Sequence, residues 1–152
     1  MTVVVGYVPT PEGRAAIAQA VEECRLRGAD LVVVNSHMGG EQLEDGRGAQ
    51  IEADLALVAE GLRELGVRHE VLTLVRGADP AADLISVARE RGAQLIVMGL
   101  RRRSTVGKLI LGSNALRILH DAPCPVLAVR ADGPGDTRPD RGADRPPARP
   151  TA

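Results

Sequence analysis

The sequence has no tryptophan, no phenylalanine and a single tyrosine, Tyr7, among its 152 residues. That removes the stacking platforms on which single-stranded nucleic acid is usually bound. A formal net charge of −1 gives no electrostatic case for nucleic acid either. The core must be built from valine, leucine, isoleucine and alanine. Two cysteines, Cys24 and Cys124, are too few and too far apart for a disulfide framework or a zinc site. Cys24 shares a helical face with Ile17, Ala20 and Val21, so it reads as an inert core thiol. No apolar run approaches the roughly 20 residues of a membrane span. The start Met1-Thr2-Val3 lacks the basic and apolar segments of a secretory leader. The expectation is a small cytoplasmic domain with no membrane partner.

What the chain does have is a rhythm. Thr2 to Val8 is a valine-rich strand, and Pro11 to Arg27 a helix with Thr10 as its N-cap and Gly28 closing it. Asp30 to Ser36 is a second strand, and His37 to Arg47 reads as a mobile connection. A helix follows from about Ala49 to Leu65, with Ile51, Leu55, Val58, Leu62 and Leu65 inward and Gly66 after it. Val67 to Val75 is a third strand, and Asp79 to Arg91 a third helix with Ala81, Leu84, Ile85 and Ala88 inward, ended by Gly92. Three helices closed by glycine, each leading into an apolar strand, are the pattern of βαβ units around a parallel sheet. The runs Arg27 to Val34 and Arg91 to Met98 repeat one solution of helix end, glycine and buried strand. From Ala131 to Ala152 there are five prolines, three glycines, four aspartates and four arginines with hardly a large apolar residue, which predicts a disordered tail behind a domain of residues 1–130.

The chemistry concentrates between Leu95 and Arg130. Leu95 to Met98 is a short apolar strand, followed at once by Gly99. Gly112 and Ser113 then open a helix, Ser113 to Asp121, with Ala115, Ile118 and Leu119 on one face. Ser113 reads as an N-cap, and the free N–H groups of such a first turn make an anion site. Between the glycines lie Arg101, Arg102, Arg103 and Lys108 with no acid among them, the sign a polyphosphate selects.

This region resembles the universal stress protein family, whose nucleotide-binding members carry Gly, two residues, Gly, nine residues, then Gly followed by Ser or Thr. Gly99, Gly112 and Ser113 match, and Asp121 to Leu127 looks like that family's ending. The opening Val3 to Glu12 is similar too. Two positions depart: Arg102 stands where the middle glycine belongs, and Val8 where nucleotide-binding members usually have an aspartate near the nucleoside. The resemblance implies an open, five-stranded, Rossmann-like parallel sheet of order 3-2-1-4-5, of the adenine nucleotide alpha hydrolase type, with helices on both faces. Ligands of such sheets bind outside the strand C-termini where the order reverses, here between strands 1 and 4.

Carried over position by position, the resemblance implies ATP or another adenine nucleotide, with Mg2+ as its accompanying ion. Met98 and Gly99 would line the floor, Arg101 and Arg102 the phosphate-side loop, and Gly112, Ser113 and Asn114 the phosphates. Ser36 would meet adenine through its backbone, and Gly6, Tyr7, Val8 and Thr10 would surround the nucleoside. It also implies a homodimer paired through the last strand, Val126 to Arg130, and a stress-response module that signals through protein partners. Arg102 and Val8 favour an alternative: a member of the family that binds no nucleotide and acts through protein contacts alone. An enzyme, such as a slow ATPase, has less behind it, since there is no GxxxxGK[ST] loop and His37, His69 and His120 are scattered. An electron-transfer flavoprotein-like domain shares only the general α/β type. A metal site of His37 with Glu41, Glu44 and Asp45 would sit in a glycine-rich stretch poorly organised for ligation.

Overall fold

The computed structural model describes residues 1–36, 46–74, 79–101 and 111–131. In chain order these form β1 (Thr2–Gly6), α1 (Pro11–Arg27), β2 (Asp30–Ser36), α2 (Arg47–Glu64), β3 (His69–Leu74), α3 (Pro80–Glu90), β4 (Leu95–Leu100), α4 (Ser113–Asp121) and β5 (Val126–Arg130). All four strand pairings are parallel and the order is β3-β2-β1-β4-β5. The chain winds outward from β1 to β3, then returns to lay β4 on the other side of β1. The reversal therefore falls between β1 and β4.

Alternation along the strands divides the core into two layers. Val3, Val5, Leu31, Val33, Leu95 and Val97 face α1 and α2, where Ala16, Ala20, Cys24, Leu55 and Leu62 meet them. Val4, Val32, Val34, Ile96 and Met98 face α3 and α4, packing on Ala81, Leu84, Ala88 and Ile118. Every one of these side chains is buried, and none is aromatic.

The caps hold where glycine and proline announce them. The Thr10 hydroxyl accepts from Gly13 N–H at 3.1 Å with Pro11 at the first helical position, and Asp79 does the same for Ala81 at 3.0 Å ahead of Pro80. Asp79 and Arg91 are thus the caps of α3 rather than helical residues. The repeat noted in the sequence is a repeat in space. Gly28 and Gly92 both take left-handed backbone (φ 63° and 57°), and the next N–H reaches back to Cys24 O (3.0 Å) and Ala88 O (2.9 Å) respectively.

Several expected boundaries move. β1 stops at Gly6 rather than Val8: Tyr7 N–H still bonds Val34 O (2.9 Å), but Thr10 N–H turns back onto Val8 O (2.8 Å) across Pro9. β3 begins at His69, not Val67, because Val67 N–H is taken by Leu62 O in closing α2 (3.1 Å). β4 runs on through Gly99 to Leu100, and α2 starts at Arg47. Leu65 and Leu119, expected inward, are 53% and 44% exposed; Leu65 is the C-cap of α2, and Leu119 lies in the last turn of α4. Most of the connection 37–47, residue Val75, the basic stretch 102–110 and the tail beyond Ala131 lie outside the described residues.

Candidate functional site

Two connections leave the sheet at the reversal: the turn after β1 and the chain after β4. Between them opens a crevice of about 310 Å³, at the lower end of the roughly 300–1,000 Å³ typical of small-molecule sites. Gly6, Tyr7, Val8 and Thr10 form one side, Met98, Gly99 and Arg101 the floor and rim, Gly112 and Asn114 the far end, and Ser36 a corner. Of the site residues expected from sequence, only Ser113 and Arg102 are missing from this lining. Ser113 lies exposed between two residues that do line it, and Arg102 is outside the described residues.

Ser113 requires a correction. It is the first residue of α4, not its cap; Gly112 holds the cap position, in extended backbone (φ −68°, ψ 165°), with no side-chain hydrogen bond. The consequence favours an anion site, because no hydroxyl or carboxylate of the cap occupies the N–H groups of the first turn, and that turn contains no acid. The other helix starts at the crevice are already occupied. In α1 the Thr10 side chain takes the Gly13 N–H and Glu12 sits in the first turn; in α3 the Asp79 side chain takes the Ala81 N–H. Of the three, α4 alone offers an uncapped positive end.

Tyr7 is also placed differently. It borders the crevice, but its ring belongs to the α1 and α2 layer, 2% exposed, and its hydroxyl donates to Asp54 on α2. Burial, and then the bond to Asp54, push its pKa up to about 12. What Tyr7 presents to the site region is backbone: its carbonyl accepts from Asn35 Nδ2 at 3.0 Å. Ser36 likewise has its hydroxyl engaged, donating to Asp83 at 2.6 Å. Val8 is 47% exposed at the lip, an apolar side chain where a carboxylate would be needed to accept from a ligand.

Gly99 has a reason that needs no ligand. A Cβ there would lie 2.5 Å from Glu12 O, and one on Gly13 would lie 1.8 Å from Val8 O. These two glycines let the first turn of α1 press against the ends of β1 and β4, which is how Glu12 comes to line the crevice. Glu12 escaped the sequence reading because an acid in a first helical turn is ordinary capping. Its carboxyl is held below the usual carboxylate range, chiefly by its own backbone N–H and then by the Thr10 hydroxyl, with smaller pulls from Arg101 and Arg14. The apolar wall of Val34, Ala81, Leu84, Ala115 and Ile118 was also missed. Four of these residues, Ala81, Leu84, Ala115 and Ile118, were legible as core positions, and the crevice is the unfilled end of that same layer.

A doubly wound parallel sheet with a crevice at its switch point defines a class of α/β domains. Within that class, the model of the universal stress protein family matches residues 1–130, and the chain belongs to that family. It is 39% identical over 131 residues to a universal stress protein of Mycolicibacterium smegmatis, covering 86% of this chain and 98% of that one. A universal stress protein structure from Archaeoglobus fulgidus superposes with a TM-score of 0.73 at 35% identity, over 84% of this chain and 97% of that one. Another from the same organism, solved in complex with dAMP, gives a TM-score of 0.68 at 30% identity, over 84% and 96%.

Proposed function

We propose that this protein is a nucleotide-responsive stress-response module, which binds ATP or another adenine nucleotide in the crevice between β1 and β4 and signals through protein partners as a cytoplasmic homodimer. The observation that carries this is the uncapped, acid-free start of α4, which lines the same crevice as Arg101 and the turn after β1. It supplies N–H donors and positive potential for phosphate, while Val34, Leu84 and Met98 offer an apolar surface to a base. The family membership and the dAMP complex of a relative at 30% identity support the same reading. ATP, with Mg2+ as its counter-ion, and AMP both fit it.

The packing roles of Gly99 and Gly13 favour a second reading, a family member whose crevice is vestigial, since these glycines are needed whether or not a ligand binds. One experiment separates the two. Protein is denatured after purification, released small molecules are identified by mass spectrometry, and affinity is measured on the stripped chain. The expected outcome is an adenine nucleotide, with binding weakened at least about tenfold by Gly112→Asp, which sets a carboxylate at the mouth of α4. The same change should leave the protein as stable or more so, because aspartate is a good N-cap and the Gly112 backbone suits any residue. No adenine nucleotide bound, or unchanged affinity in Gly112→Asp, defeats the phosphate site.

A further inference from the structure

Among the described residues that line the crevice there is one carboxylate, Glu12, and it stands at the opposite helix start from the phosphate-accepting one. We propose that Glu12, with Thr10 beside it, is the specificity-determining residue of the site, accepting the hydroxyls of a ribose and so selecting ribonucleotides over their deoxy counterparts. The inference rests on the nucleotide reading above and adds to it the orientation and sugar of the ligand.

The polarity of the crevice argues it. A nucleotide has an anionic end, a flat base with apolar faces and a polar edge, and between them a sugar whose only polar hydrogens are hydroxyl donors. Among the described helix starts at the crevice the anionic end is best met by α4, because at α1 the Thr10 hydroxyl already takes the Gly13 N–H and Glu12 adds negative charge, and at α3 Asp79 takes the Ala81 N–H. The apolar faces match Val34, Leu84 and Met98. Of the other polar side chains in the described lining, Ser36 has its hydroxyl on Asp83, Asn114 belongs to α4 and Arg101 is a donor only, which leaves Thr10 and Glu12 to accept from a ligand's donors.

Capacity argues it as well. An ionised carboxylate accepts at about four lone-pair positions. The Glu12 backbone N–H and the Thr10 hydroxyl favour the charged form. Among the described residues no side chain is hydrogen-bonded to the carboxylate across the crevice, which leaves acceptor positions for a ligand. A purely capping acid would serve from any position of the first turn. This one is carried into the crevice wall by the close seat of α1 on Gly99, whose missing Cβ would lie 2.9 Å from the Glu12 Cβ itself.

The test is the affinity of AMP, 2′-deoxyAMP and 3′-deoxyAMP for the wild-type chain and for Glu12→Gln, which keeps size and removes charge. In the wild type, loss of the hydroxyl that meets Glu12 should weaken binding about tenfold, the scale of a hydrogen bond to a charged acceptor. In Glu12→Gln the gap between AMP and that analogue should close to about threefold or less. The deoxy series on the wild type needs no substitution, so it stands even if the variant folds poorly. Equal affinity of all three ligands for the wild type overturns the assignment, as does a ribose preference that survives in Glu12→Gln. Failure of every adenine nucleotide to bind overturns the nucleotide reading and this inference with it, so the two failures look different.

Discussion

Tyr7 is the one aromatic residue, so the near-ultraviolet absorbance of the protein reports on it alone. Its pKa is raised from 10 to about 12, first by burial and second by the bond to Asp54. A group whose folded pKa lies above its unfolded one stabilises the fold fully below the unfolded value, and that contribution is lost as pH rises through the folded value. Spectrophotometric titration should therefore show native phenolate forming near pH 12, and the denatured chain titrating near 10. A native midpoint near 10 would mean the ring is not held beneath α2. Tyr7 lines the crevice as the resemblance implies, but strand alternation puts its ring with Val3 and Val5 on the face toward α1 and α2. Ser113 was misread as the cap of α4. Serine is the usual cap, but here the chain enters the helix one residue earlier, and the cap is a glycine with no side chain to offer.

Helices and strands were legible almost throughout, because glycine, proline and apolar period agree with one another at nearly every boundary. α1 and β2 match their expected limits; β3 starts later because the closing of α2 takes the Val67 N–H, and β1 ends earlier where the chain turns at Pro9 and Thr10 N–H folds back onto Val8 O. What sequence could not show is which glycines are held by packing. Gly99→Ala brings a Cβ to 2.5 Å from the backbone oxygen of Glu12, so it should destabilise the protein by about 2 kcal/mol, within the range of overpacked cores. Gly61→Ala, in α2 with nothing within 4 Å of the added carbon, should instead stabilise by about 0.5–1 kcal/mol through helix propensity and a less flexible unfolded chain. Chemical denaturation of both variants checks the pair. Similar changes from the two would mean that α1 does not sit on β4 as described.

The strand order follows from family resemblance, not from periodicity, which is blind to which strands lie side by side. At this scale β5, the outermost strand of the described sheet on that side, bears on assembly. Val126, Leu127 and Val129 are half-buried, and Leu127 and Val129 pack beneath the α1 layer, so charges placed there would test the core rather than an interface. Ile96 N–H donates to Pro125 O at 3.0 Å, and by the alternation of a parallel pair Ala128 then turns its N–H outward. If the homodimer forms by pairing β5 with its copy, Ala128→Pro removes an edge donor while sparing the bonds to β4. Sedimentation should then give a dimer for the wild type and a monomer for the variant. A wild-type monomer at tens of micromolar, or a dimer that survives the proline, would place association elsewhere. The seat of α1 on Gly13 and Gly99 also preorganises the crevice: its wall stands on contacts within the chain, so its shape does not wait on whatever fills it.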